Sequence, residues 1–574
     1  MARRTTQQGS GQQSTRSESS TLVGALPGMH PDREAVEDRH EPLRPGRGWA
    51  KPGGGLVPWV SAPVEYHASS VQACGLWPHV VGASTGGVGA PLGEHLHSGE
   101  AVFGDPLAMF RAGMIQNPGC AVLALTGRGK STMIALMATG ALARGDQVFF
   151  PADLKPDYSQ FVTAMAGPQA VTKFGRGAGS MNMLDPGDAF KAADTYKHRD
   201  PQLAEKLRAE AIGRAQDITV AMFEVYRRAP LDQNDDELLR EAIKIVLSGY
   251  ESGSTPTLPD LIRLIRTGNP TLRDLTLTET QEAYAEAIHD LLRTMVSFDR
   301  GDFGAAFGRA STAHVSMDYP TMSIDVSAVQ GASDKLLAGV LYSSWAHTFG
   351  AIEVHHLIAD AGHHPRRHQM VVLDELWSVI GASAGMAARV DALTRTNRTQ
   401  AVANVLCTHT FRDLEAVRDE SAREKARGFV ERSGMVVVGE VRSHDLQALR
   451  DSLGKVSARE VEEIESWGEG ESIDPATGRM VAASLGKFLM KYGSKPGVPF
   501  RTDHSAIAHL MDTSSRWREP ESKLQATRVP PRTTSPAPVG LRDEDTAPSA
   551  PATASAAGDP AAASIAGETA RGTA

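Results

Sequence analysis

The chain has 574 residues, 41% of them hydrophobic, and carries a formal net charge of −9. That length supports two or more domains, each with its own core. The negative balance excludes a surface that is nucleic-acid platform throughout, while leaving room for a local basic channel. Three widely spaced cysteines, Cys74, Cys120 and Cys407, offer no disulfide framework and fit a reducing cytoplasm. No apolar core follows the early arginines and no run of about eighteen apolar residues occurs. The expectation is therefore no signal peptide and no integral membrane segment, with any membrane association coming through a partner.

In chain order, residues 1–57 are rich in Ser, Gln, Gly, Pro and charge and read as a disordered leader. Residues 58–188 read as the start of an α/β core. WVSAPVEYHASSV alternates as a strand does, and PLGEHLHSGEAVFGDPLAMFRAGM suggests a strand pair leading into a short helix beside the next strand. The glycine cluster GASTGGVG at 82–89 lacks a following Lys and reads as a surface turn.

The stretch AVLALTGRGKSTMIAL, 121–136, carries the first chemistry. An apolar strand, a turn through Thr126, Gly127, Arg128 and Gly129, then Lys130, Ser131 and Thr132 opening a helix, make a P-loop. Glycines let backbone N–H groups curl around a phosphate, and the helix N-terminus adds a favourable field. Lys130 is placed to reach the β- and γ-phosphates of ATP, and Ser131 to ligate Mg²⁺. Ala124 stands where GxxxxGK[ST] has its first glycine.

Gln147–Phe150 reads as the next parallel strand, with Asp153 and Asp157 at its C-terminal end, where α/β sheets place ligands. Residues 189–312 then show repeated i, i+3, i+4 apolar spacing punctuated by Gly, Pro and capping residues such as Asp235 and Thr278. They read as an all-helical insertion of four or five helices.

The core resumes over 313–518. Strands are expected at 321–326, 369–373, 401–408 and 434–440, a helix within GMAARVDALTRTNR, and a hairpin within GRMVAASLGKFLMKYG. The MVVL strand delivers Asp374 and Glu375 to its C-terminal edge, where Asp374 can organise Mg²⁺ and Glu375 can polarise the attacking water. His409 closes the following strand at the same edge and is a candidate γ-phosphate contact. Arg395 and Arg398 are candidates for stabilising transition-state charge, across a subunit boundary. His355, His356, His363, His364 and His368 fit no standard zinc spacing and read as a polar loop. Residues 519–574, dominated by Pro, Ala, Thr and Ser, read as a disordered tail.

With these motifs placed, about Pro91 to Trp517 resembles the cytoplasmic ATPases of conjugative type IV secretion (VirB/TraC-type) in the form seen in actinobacterial mobile elements. The segments that carry the resemblance are PLGEHLHSGEAVFGDPLAMFRAGMIQNP, DLKPDYSQF, MNMLDPG, GDFGAAFGRAS followed by MSIDVSAV, LDELW, LGKFLMKYGSKPGVPFRTD and MDTSSRW. It implies a RecA-like P-loop NTPase core with a mainly parallel, doubly wound sheet, an all-helical insertion and a C-terminal β-hairpin. It further implies ATP and Mg²⁺ as cofactors, and a homo-oligomeric ring, a hexamer by that resemblance, at the inner face of the membrane beside channel proteins. Two departures are Ala124 and His409, the latter where the family usually carries Gln. A methyl at 124 reduces backbone freedom, and slower or absent hydrolysis is the expectation it raises. The large N-terminal domain of longer family members is not part of this sequence. Two other readings share the site: a DNA translocase or coupling protein of the HerA/FtsK class, with DNA as partner, and an ATP-binding scaffold with weak or no hydrolysis.

Overall fold

The computed structural model describes residues 86–249, 255–380, 386–395, 401–408 and 420–453, and all of 456–511 except 469, 474–479, 494, 504, 506, 508 and 509. The chain divides into two compact units, Met1–His79 and Val80–Ala574, and every described residue belongs to the second. The strand expected in WVSAPVEYHASSV, the leader and the tail lie outside the described residues.

An eleven-stranded sheet organises this unit. Its strands are β1 (Pro91–His95), β2 (Ala101–Phe103), β3 (Gly119–Leu123), β4 (Gln147–Asp153), β5 (Val171–Lys173), β6 (Thr321–Asp325), β7 (Gln369–Leu373), β8 (Val402–Thr408), β9 (Met435–Val438), β12 (Lys487–Tyr492) and β13 (Val498–Thr502), while β10 (Glu471–Ile473) and β11 (Met480–Ala482) pair separately. The spatial order is β2-β1-β13-β12-β9-β3-β8-β7-β4-β6-β5. From β9 to β5 the pairing is parallel throughout. The four strands beyond β9 are antiparallel.

Helices cover both faces, and the strand sequences show why. β4, β6, β7, β8 and β9 are buried at every position, the burial that parallel strands with helices on both sides require. Alternate residues divide between two cores. Cys120, Val122, Met370, Val372, Val405 and Cys407 pack with Met133, Ile134 and Met137 of α2 (Lys130–Ala143). Ala121, Leu123, Val371, Leu373 and Leu406 pack in the opposite core, which also holds the helices that join β5 to β6. Because α2 is apolar nearly all round, it is buried rather than amphipathic. Its Gly140 lies so close to Ala90 that a Cβ there would come 2.3 Å from the alanine methyl.

Between β5 and β6 run eight helices among the described residues: α4 (Asp188–Tyr196), α5 (Pro201–Arg227), α6 (Gln233–Ser248), α7 (Leu258–Thr267), α8 (Pro270–Leu275), α9 (Gln281–Ala287), α10 (His289–Arg300) and α11 (Asp302–Phe307). Four or five were expected. The additional ones are α4, α8 and α11, which lie outside the periodic stretches, and a break at Ile288 that divides the last stretch into α9 and α10. Asp232 and Thr280 are the N-caps where Asp235 and Thr278 were expected. Three further helices matter for the site: α1 (Pro106–Arg111), α3 (Ser159–Ala166) and α12 (Asp334–Asp360).

Three other expectations are corrected. The strand pair β1–β2 does not lie beside β3, because β13, β12 and β9 intervene. The hairpin expected inside GRMVAASLGKFLMKYG does not form. Its first strand, β11, pairs with β10, and its second, β12, forms the C-terminal hairpin with β13. Alternation identifies a strand but not its partner. Two of the five histidines are not in a loop: His355 and His356 sit in the last turns of α12, where His356 Nε2 meets Gln369 Oε1 at 2.8 Å, whereas His363, His364 and His368 lie in the connection to β7. His363 stacks on Tyr196 and contacts Asp200 at 3.3 Å. Among the described residues no cluster of His, Cys, Asp or Glu has the make-up of a metal site.

Candidate nucleotide site at the sheet edge

The P-loop follows β3 directly. Leu125 N donates to Glu440 O at 2.8 Å, which ties the start of the turn to the end of β9. The left-handed conformations fall on Gly127 (φ 77°) and Gly129 (φ 91°), the two positions where glycine is needed. Ala124 is not a positive-φ residue. Its methyl is fully buried opposite Gly439, where a Cβ would come 2.8 Å from it. The expectation that alanine restricts this backbone therefore does not match the local geometry: the space and the conformation both suit alanine.

Lys130 opens α2 and is buried, its Nζ donating to Ala124 O at 2.6 Å. Burial lowers its pKa, opposed chiefly by the Asp374 carboxylate and also by Glu375. Ser131 Oγ donates to Asp157 Oδ2 at 3.0 Å, leaving its lone pairs for another ligand. Burial raises the Asp157 pKa, and the Ser131 hydrogen bond works against that rise. Asp153, the last residue of β4, accepts from Asp157 N, Tyr158 N, Ser159 N and Ser159 Oγ at 2.9–3.0 Å, fixing the entry to α3. Burial nonetheless pushes its carboxyl up to about 7.

The second half comes from β7, two strands from β3 with β8 between. Leu123 pairs with Thr408 and Leu373 with Leu406, so β3 and β8 end together and β7 ends two residues earlier at the same edge. Strands two apart are about 10 Å from one another, close enough for the Asp374 carboxylate to act electrostatically on Lys130. Glu375 is buried, with φ 54°, and its N–H donates to Asp374 Oδ1 at 2.9 Å. A left-handed glutamate costs of order 1–3 kcal/mol and persists where its surroundings fix it. Its Oε1 lies 3.4 Å from Lys155 Nζ.

The turn before β12 lies on the P-loop. Arg128 holds Glu440 through Nε at 2.7 Å and Nη2 at 3.3 Å, and Ser484 Oγ donates to the same carboxylate. Gly486 N donates to Arg128 O at 3.3 Å. Thr126 and Gly127 are exposed, and a Cβ at Gly127 would meet nothing within 4 Å, so the mouth of the loop is open.

The structure thus brings together Lys130, Ser131, Asp374 and Glu375, with Thr126 to Gly129 and Thr132 around them. His409 and Arg398 lie outside the described residues. Arg395 is the last residue of α13 (Met386–Arg395), and its side chain is not among those described. Lys155, Glu440, Ser484 and Gly439 were missed by sequence reasoning. An acid ending a buried strand, as Glu440 does after MVVV, repeats the pattern that singled out Asp374.

The residues fit the two cofactors. An open loop with two left-handed glycines and a buried ammonium suits a polyphosphate. A hydroxyl and a carboxylate on either side are hard oxygen donors of the kind Mg²⁺ takes alongside phosphate oxygens and water.

The fold is that of a RecA-like P-loop NTPase core. Among solved structures the chain is similar to VirB4 of Thermoanaerobacter pseudethanolicus, at 16% identity with a TM-score of 0.53, covering 74% of this chain and 98% of that one. The plasmid coupling protein TrwB in complex with ADP and Mg²⁺ aligns at 15% identity and a TM-score of 0.37, over 67% of this chain and 85% of that one. No protein-family profile and no curated protein matches the chain. Among the described residues no helix is long and apolar enough to cross a membrane.

Proposed function

We propose that this chain hydrolyses ATP and, as a homo-oligomeric ring at the inner face of the membrane, powers conjugative DNA transfer through a type IV secretion channel. The observation that carries the reading is the convergence of Lys130 and Ser131 with Asp374 and Glu375 at one sheet edge, from strands separated only by β8. The similarity in fold to VirB4, over 98% of that chain, supports the same direction.

In this reading the N–H groups of Gly127 to Lys130 and the Lys130 ammonium bind the phosphates. Ser131 and Asp374 hold Mg²⁺, which when bound neutralises charge on the β- and γ-phosphoryl oxygens. Glu375 accepts a proton from water as the water oxygen bonds to the γ-phosphorus and the bond to the bridging oxygen breaks. ADP leaves with that oxygen. His409 contacts the γ-phosphate, and Arg395 or Arg398 stabilises the charge from a neighbouring subunit.

The test is an ATPase assay on size-separated monomer and oligomer, with and without DNA. Turnover confined to the oligomer and indifferent to DNA fits the proposal. DNA-stimulated turnover with salt-sensitive DNA binding would instead make the chain a DNA translocase. Tight ATP binding without turnover in any fraction would make it a scaffold.

A further inference from the structure

The connection that follows β4 brings a second lysine to the site, and nothing in the P-loop pattern accounts for it. Lys155 Nζ lies 3.4 Å from Glu375 Oε1. The two side chains differ in freedom: that of Lys155 is 48% exposed and that of Glu375 only 9%. The carboxylate is held by a buried backbone in a left-handed conformation, tied to Asp374. The lysine reaches it on a long stem from the surface, and a contact of 3.4 Å is at the loose end for a charge-assisted pair.

The base of that stem is fixed. Asp153, two residues earlier, accepts four hydrogen bonds from residues 157–159, and Leu154 O accepts from Gln330 Nε2. Swinging is therefore left to the side chain. Lys155 also stands close enough to Lys130 and Asp157 to act on both electrostatically. The two ammonium groups thus act on one another electrostatically, one bonded to the Ala124 carbonyl and the other paired with the Glu375 carboxylate. An anion drawn to the two charges competes with both of those partners.

We propose that Lys155 is a positioning residue that pins the Glu375 carboxylate while the γ-phosphate position is empty and releases it to the attacking water when a γ-phosphate draws the ammonium away. The inference rests on the reading of this site as an ATPase and adds a device that couples the base to the presence of the third phosphate. ADP lacks the group that moves the lysine, so the pair stays closed after hydrolysis. The proton balance is unchanged, since Lys155 stays protonated and only its partner changes.

The experiment is carried out on the full chain, by measuring binding of a non-hydrolysable ATP analogue and of ADP, with Mg²⁺, to wild type, Lys155→Met and Lys155→Arg, together with kcat and KM for ATP. The expected result for Lys155→Met is about tenfold weaker binding of the ATP analogue, ADP affinity within about twofold of wild type, and kcat down at least about tenfold. Lys155→Arg, which keeps the charge, restores part of the preference for the ATP analogue. Equal weakening of both nucleotides would show a structural ion pair only, and no change in either would remove Lys155 from the site; both overturn the proposal. A wild type that binds neither nucleotide, or binds them independently of Lys130, overturns the ATPase reading itself and this inference with it. Lys155→Arg keeps the test decisive if the methionine variant does not fold.

Discussion

The methyl group of Ala124 occupies space that Gly439 leaves open: a Cβ on Gly439 would come 2.8 Å from it and 2.9 Å from the Phe488 ring. The departure from the P-loop pattern and the glycine ending β9 are thus one packing solution. Gly439→Ala is expected to destabilise the protein by about 1–3 kcal/mol through overpacking, and Ala124→Gly to leave turnover within about twofold. The double variant should recover part of the loss, because the two residues share one space. Thermal melts of the four proteins measure this, and strict additivity would contradict it.

The Arg128–Glu440–Ser484 contacts link the phosphate loop to the turn before β12. Arg128→Ala removes a partly buried ion pair and is expected to weaken nucleotide binding about three- to tenfold. It should also raise amide exchange across 484–486, since Gly486 N is bonded to Arg128 O. Binding and exchange both unchanged would show that the turn does not brace the loop.

The hydrogen bond from Ser131 to Asp157 aims the hydroxyl proton away from the lone pairs a metal would use. Asp157→Asn is expected to raise the Mg²⁺ concentration for half-maximal nucleotide binding several-fold while leaving metal-free binding near wild type. A titration of Mg²⁺ at fixed nucleotide measures both, and an unchanged metal requirement would contradict this role.

Burial first, then His356, Arg367 and His364, lower the His355 pKa from 6.5 to about 4. The folded imidazole is therefore neutral where the unfolded one takes up a proton. Stability is fully present above about pH 6.5 and falls as the pH drops toward 4. His355→Gln removes the penalty, so the variant should gain on wild type between pH 7.5 and pH 5 in thermal melts. A difference in Tm that is the same at both pH values would rule this out.

Much of the core was legible because a parallel strand buried on both faces is a short apolar run, as at Gln369–Leu373, and ends where ligands bind. The P-loop was legible because its residues are consecutive. Lys155, Glu440 and Ser484 were not, since their partners stand 220, 312 and 44 residues away and only the sheet order brings them together. Ala124 was misread for a related reason: its cost depends on Gly439, which lies on the adjacent strand. The count of helices between β5 and β6 was too low because helices of six residues, such as Pro270–Leu275 and Asp302–Phe307, are too short to show a period.

The site is tested most directly by the rate of phosphate release from the purified oligomer with ATP and Mg²⁺, compared with Lys130→Ala and Glu375→Gln. Wild type should turn over, and both variants should lose about 100-fold or more. Lys130→Ala should also lose nucleotide binding, while Glu375→Gln should keep it. Equal phosphate release without those two side chains would contradict the assignment of the site.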